Sequence, residues 1–426
     1  MASALLRTCL VLAMLTPASG CSQAEMTPEA AHTIADMWDT TASVYLDQDL
    51  WTEREAYDAC HYLMVPLHAA YEGGRAEWRN QFDSQFERYA RDFDSSLSVG
   101  LLTRMHYQYL ASRYLVLKSA RGETDGITRS IHERLVAETV ATWSERNAWQ
   151  WAREDFPTMR DRVIWKLGPQ ATDNSYEKAL IDEELLIFAI AADLVAVERA
   201  GGTPASDDLL DILDVAFRAF THRSSIIENG GWLLQPGIWW DHPDFKYAGN
   251  ASIEALLEPK PLRGIAFDTS HSHRLPLVLT SLEGAESPAS ERAIAYRAML
   301  DGLAMQFRSE VLVAPGETFD GWRTTNYLDG HNGVYRYGYA TQGESNGYGP
   351  YELSGTFLLG WWSLLDDVEV RAAYLDQASR FPPEAREMAT YVGPNTSRAR
   401  NPLTRFPDAL ENGFLELICR LAAGER

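Results

Sequence analysis

The chain has 426 residues, with 60 Asp and Glu against 38 Lys and Arg, and a formal net charge of −22. That balance excludes nucleic acid as a partner, because phosphate binding needs concentrated Lys and Arg, while an anionic sugar polymer held by a few local cations is still allowed. Beyond the first twenty residues no apolar stretch approaches the ~20 uncharged residues of a membrane span, and Leu185 to Val197 is short and interrupted by Asp193.

In chain order, residues 1–20 read as a targeting segment: Arg7 gives a positive start, Leu10 to Leu15 an apolar run, and Ala18-Ser19-Gly20 small residues before Cys21. Ala-Ser-Gly-Cys resembles the lipobox of bacterial lipoproteins. The resemblance implies a diacylated Cys21 as mature N-terminus, and Ser22 after it resembles the outer-membrane pattern. The expected location is therefore the periplasm or outer membrane, with contact to the membrane through the lipid alone. Ordinary secretory cleavage, with Cys21 incidental, is the other reading.

From residue 26 to 426, apolar residues recur at helical spacing, so the expected fold class is mostly α. Helices are predicted over Pro28–Leu46, Thr52–Tyr71, Trp78–Asp92, Leu101–Ala120, Ile127–Arg146, Tyr176–Ala200, Asp207–Thr221, Pro288–Ser309, Tyr351–Leu365, Val368–Arg380 and Asp408–Ala423. Strand signatures are confined to Trp232–Trp239 and Glu310–Ala314. With no linker between them, these helices fit one closed array, an α/α toroid of paired helices with long loops at one mouth, better than two domains; an α-solenoid is the alternative. Cys60 and Cys419 fall in the second and last predicted helices. They pair if the helices close a ring in an oxidising compartment, or stay as two buried thiols.

Three loop segments carry the chemistry. Asn229 to His242 sets Trp232, Trp239 and Trp240 among turn residues with Asp241 and His242, flat apolar faces suited to stacking on sugars. The same insertion ends at Asn250, an amide that either caps a short helix at Ser252–Leu257 or meets a substrate carboxylate. In Asp268-Thr-Ser-His-Ser-His-Arg274, His271 and His273 alternate and so point to one side of an extended loop. Asp268 is placed to orient one imidazole, and Arg274 lies beside them. The third segment, Gly321 to Tyr339, supplies Trp322, Arg323, Asp329, His331, Tyr335, Arg336, Tyr337 and Tyr339, and Glu352 follows near the start of the next helix. A buried Tyr near a cation is expected to have its pKa lowered. The 268–274 and 335–339 turns are read as two walls of one site.

Asn, His, Arg and Tyr arriving in that order on a secreted helical chain with aromatic loops resembles the α/α-toroid polysaccharide lyases that act on uronic-acid polymers. The resemblance implies an anionic polysaccharide substrate and β-elimination. Asn250 and Arg274 would neutralise the uronate carboxylate, His273 or His271 would be the base, and Tyr337 or Tyr335 the acid. Trp239, Trp240, His242, Asp268, Trp322, Arg323, His331 and Glu352 would bind substrate. A glycoside hydrolase on a similar scaffold is the runner-up, with Asp241, Asp268, Asp329, Glu344 and Glu352 as candidate carboxylates. A non-catalytic glycan-binding lipoprotein is the third reading. His242, His271, His273 and His331 match no strong zinc spacing, and neither metal nor cofactor is expected.

Overall fold

Thr41 divides the first expected helix in two, into α1 (Ile34–Thr40) and α2 (Ala42–Leu46). Its hydroxyl donates back to the Met37 carbonyl at 2.5 Å, the local competition with the helical ladder that Thr offers. The computed structural model describes residues 33–73, 75–150, 156–341, 344–394 and 401–426. The targeting segment and Cys21 lie outside the described residues.

The helices then follow as α3 (Glu55–Glu72), α4 (Ala76–Arg91), α5 (Phe93–Ser96), α6 (Leu101–Ala120), α7 (Gly126–Ser144), α8 (Met159–Leu167), α9 (Asp182–Ala200) and α10 (Asp207–Arg223). After a long insertion come α11 (Thr269–Ser272), α12 (Leu275–Gly284), α13 (Glu291–Gln306), α14 (Val368–Ala378), α15 (Ala385–Val392), α16 (Asp408–Glu411) and α17 (Phe414–Ala422). Three antiparallel two-stranded ribbons accompany them: β1 (Ser224–Ile226) with β2 (Trp232–Leu234), β3 (Leu312–Val313) with β4 (Arg323–Thr324), and β5 (Ala340–Thr341) with β6 (Glu344–Ser345). The protein is mostly α, as its hydrophobic period implies.

Two kinds of helix build the body. On α10, Leu209, Ile212, Leu213, Ala216, Ala219 and Phe220 are buried at the i, i+3, i+4 spacing of a helix with one face to water. By contrast α3, α9 and α12 are buried nearly all round. They form the interior: α3 packs on α6, α6 on α9, and α9 on α12, while α17 packs on both α14 and α3. Each Leu or Phe buried this way stabilises the fold by about 1.5–3 kcal/mol.

Several boundaries differ from the sequence reading for local reasons. Helix α9 starts at Asp182 and not at Tyr176. Residues 175–178 form a separate 3-10 turn, held by the Asp241 carboxylate, which accepts from the Ser175 amide at 2.7 Å. The expected helix over Tyr351–Leu365 is two 3-10 stretches, 354–359 and 361–365, parted at Gly360, whose φ of +81° only glycine adopts without strain. Cys60 on α3 and Cys419 on α17 do sit on neighbouring helices, but both are free and buried. The pairing is therefore corrected to two buried thiols. Among the described residues no helix is long and apolar enough to cross a membrane.

Candidate active site

The site starts from a backbone splice. The Thr269 amide donates to the Asn326 carbonyl at 2.9 Å and the Leu328 amide to the Phe267 carbonyl at 2.9 Å, so the 267–269 and 326–328 segments run as one antiparallel bridge. Asn326 locks the junction from inside, its amide donating to the carbonyls of Gly333 and Gly349. Gly333 has no room for a side chain, since a Cβ there would come within 1.7 Å of the Ala248 carbonyl oxygen. The chain then pairs Tyr335 with Tyr348 and continues into the β5–β6 hairpin. Arg336, between them, holds a left-handed φ of 55°, an uncommon conformation for a residue with a Cβ. Its amide donates to the Asp244 carbonyl and its Nε to the Asp244 carboxylate, both at 2.9 Å.

These walls enclose two adjoining cavities of about 170 and 270 Å³. Arg54, Tyr57, Asp58, Tyr348 and Glu352 line the first; Trp149, Asp182, Trp239, His242, Asp244 and Phe267 line the second. His271, Tyr335 and Arg336 line both.

His271 is the group placed for proton transfer. Its Nδ1 lies 2.8 and 2.9 Å from the two oxygens of Asp268, which fixes the proton on Nδ1 and leaves Nε2 with a lone pair. The ring is stacked on Phe267, and the side chain is 24 % exposed toward the cavities. Asp268 is fully buried, yet the His271 and Ser270 bonds outweigh the cost of burial and hold its pKa down to about 2. Nε2 of His271 is 3.9 Å from the Asp182 carboxylate.

His273 also borders the first cavity, but from within the packed interior. The expectation of an extended loop with both imidazoles on one side is corrected: 269–272 is a turn of helix, and His273 lies where it passes into α12. Its ring is 1 % exposed, packed on His61 and edge-on to Trp361, and burial pushes its pKa well down. Arg274 is buried as well, and its donors are spent inside the protein. They reach Asp182 at 3.1 Å, the Tyr57 hydroxyl at 3.0 Å and Nε2 of His61 at 3.0 Å. It positions groups rather than meeting a substrate. Arg274 holds the Tyr57 hydroxyl, and the rings of His61 and His106, tilted against Tyr57 with centroids 4.5 and 4.3 Å away, fix it on the wall of the first cavity.

The remaining predicted residues divide by what they touch. Tyr335 is buried and lines both cavities; burial outweighs the nearby Arg336 and raises its pKa, the opposite of the expected direction. Trp239, sandwiched between Phe245 and Phe267, forms part of the second cavity with His242. Glu352 lines the first, its pKa raised by burial. Asn250 and Tyr337 line neither cavity. The Asn250 amide donates to the Tyr247 and Glu258 carbonyls, and the Tyr337 hydroxyl to the Glu254 and Ala255 carbonyls, so both tie down the 251–258 loop. Trp240 stacks under Arg263, Trp322 donates to Asp376 on α14, Arg323 lies between the rings of Phe319 and Tyr351, and His331 pairs with Asp329. None of these four lines the cavities. Of the hydrolytic candidates, Asp241 caps the 175–178 turn and Asp329 accepts from the Ala266 amide, while Glu344 lies in β6.

Sequence reasoning missed Arg54, Tyr57, Asp58 and Asp182. The first three, with His61, recur at i, i+3, i+4 and i+7 from the residue before α3 through its second turn, a polar stripe leading into the apolar run Leu63–Leu67. That stripe was a signal available in the sequence. Set against protein-family models, curated proteins and solved structures, the chain shows no significant match.

Proposed function

We propose that this protein is a polysaccharide lyase that cleaves a uronic-acid-containing polymer by β-elimination. The observation that carries the reading is His271, with Asp268 on Nδ1 and Nε2 open at the junction of two cavities, beside Tyr335 and Arg336. Nε2 takes the proton α to the sugar carboxylate. The electron pair left behind forms the C4–C5 double bond as the C4–O bond breaks. The departing oxygen takes its proton from Tyr335, whose burial keeps the phenol protonated and suits it to be the acid rather than the base. Arg336, held by Asp244 through Nε, turns the rest of its guanidinium to the charge that builds on the carboxylate. The aromatic second cavity gives a sugar ring flat surface to lie on.

We read the scaffold as an α/α toroid. The succession α3, α6, α9, α12 returns to α3 through the 361–365 stretch and α17, which supports a closed ring. We further propose a lipid anchor on Cys21 and a periplasmic or outer-membrane location, on the strength of the Ala-Ser-Gly-Cys motif.

The test is incubation with alginate, glucuronan, pectate and glycosaminoglycans. A lyase releases unsaturated uronates, seen by their far-ultraviolet absorbance. A second reading, glycoside hydrolysis, is favoured by one observation: burial pushes the Asp58 carboxyl in the first cavity up to about 7, so that a large share of it carries a proton at neutral pH. New reducing ends without absorbance would assign the protein there.

A further inference from the structure

We propose that Arg54, which precedes α3, and Asp58, in its first turn, form an anion-recognition subsite in the first cavity, where the Arg54 guanidinium receives the acidic group of the sugar next to the one that reacts. This rests on the polyuronate reading above and adds that the substrate carries charge on successive units.

The guanidiniums of the site are not equivalent. Arg274 is bonded to Asp182 at 3.1 Å and Arg336 to Asp244 at 2.9 Å. Arg54 instead lies flat on the Tyr57 ring, its Cζ 3.8 Å from the ring centroid. Its Nε is 3.7 Å from the Asp58 carboxylate, too far for a hydrogen bond, and has no other partner among the described residues. Its side chain is 38 % exposed on the cavity wall. It is therefore a planar cation stacked on Tyr57, with its outer edge unspent. A carboxylate is the group such a fork receives best.

Asp58 makes this recognition depend on protons. It is 4 % exposed, and burial holds its carboxyl near neutrality, with a pKa of about 7, although Arg54 pulls it down. The other groups around it are Glu55 and Tyr62 on α3, Tyr45 on α2, and, across the cavity, His271, Arg336 and Glu352. While Asp58 is neutral, the charge of Arg54 is uncompensated and available to a ligand anion. Once Asp58 ionises it competes for Arg54 and repels the ligand. Anion and proton thus bind together, each favouring the other equally.

The experiment is calorimetric binding on His271→Ala protein, so that no turnover intervenes. The probes are trisaccharides of mannuronate, glucuronate and galacturonate and their carboxyl-reduced neutral counterparts, at pH 6 and pH 8. At least one uronide is expected to bind about tenfold more tightly than its neutral counterpart at pH 6 and to lose most of that advantage at pH 8. Arg54→Gln removes the pH-dependent part of the preference and leaves only what Arg336 contributes. Arg54→Lys, which keeps the charge without the planar stack, retains part of it, and Asp58→Asn keeps it at pH 8. Equal binding of charged and neutral sugars, no uronide binding at all, or a preference unchanged in Arg54→Gln overturns the proposal. A charge preference that follows Arg54 in a protein yielding no unsaturated product overturns the lyase reading alone.

Discussion

The imidazole of His271 is held between two carboxylates, with Asp268 2.8 Å from Nδ1 and Asp182 3.9 Å from Nε2. Only the first is a hydrogen bond. Asp268 therefore sets the tautomer, and Asp182, itself bonded by Arg274, stands back and leaves Nε2 reachable from the cavities.

From that arrangement, Asp268→Asn is expected to lower turnover by about 10²–10³-fold, since an amide can stabilise the wrong tautomer. It has a stability signature too. The Asp268 pKa is depressed to about 2 from 3.8, so its contribution is present above pH ~4 and is lost as pH falls toward 2, about 2 kcal/mol in all. Urea titrations from pH 5 to pH 2 on wild type and variant measure it; parallel acid losses in the two proteins would refute the assignment.

The two histidines separate activity from packing. His271→Ala should abolish turnover and cost about 1–3 kcal/mol, because it leaves the buried Asp268 carboxylate without its main partner. His273→Ala should cost ~2–3 kcal/mol by opening a cavity beside His61 and Trp361. Thermal melts and progress curves on both variants check this, and a His273→Ala protein that melts with the wild type would contradict the burial argument.

Tyr335→Phe removes one hydroxyl and keeps the ring packed on Phe245 and Tyr348. Stability should hold within ~1 kcal/mol while kcat falls at least 10²-fold with little change in KM. An unchanged kcat would transfer the proton-donor role to another phenol of the wall.

Asp58 gives a stability trend of opposite sign to that of Asp268. Its folded pKa of about 7 lies above the ordinary 3.8, so the folded state binds the extra proton, and stability falls as pH rises from ~4 to ~7. Asp58→Asn should remove that decline and make the protein more stable than wild type at pH 8 by up to a few kcal/mol. Chemical denaturation at pH 5 and pH 8 decides; a variant less stable at both would mean that the carboxylate is needed folded and charged.

What could be read from the sequence follows from how each residue is paired. Helices with one wet face, such as α4 and α10, announce themselves by period. Helix α12 does not, because Leu275 to Leu279 is an unbroken apolar run buried on every side, and the first polar residues, Thr280 and Ser281, come only near its end. At the site, the density of proton-moving groups singled out 268–274 and Tyr335. Asn250 and Tyr337 looked equally chemical, but loop carbonyls consume their donors, and no pattern in the chain reveals which backbone a side chain will meet. Arg54, Tyr57 and Asp58 went unread because polar positions on a helix ordinarily face water, and Asp182, the first residue of α9, resembles an ordinary helix-start acid.

Helix α3 carries Tyr57 and is braced by α17, which residues 414–422 supply. A chain emerging from the ribosome thus presents Arg54, Tyr57 and Asp58 long before the segment that steadies them exists. The pocket matures only once residues 414–422 have been made, and a chain cut short before them has the working groups without the buttress that aligns them.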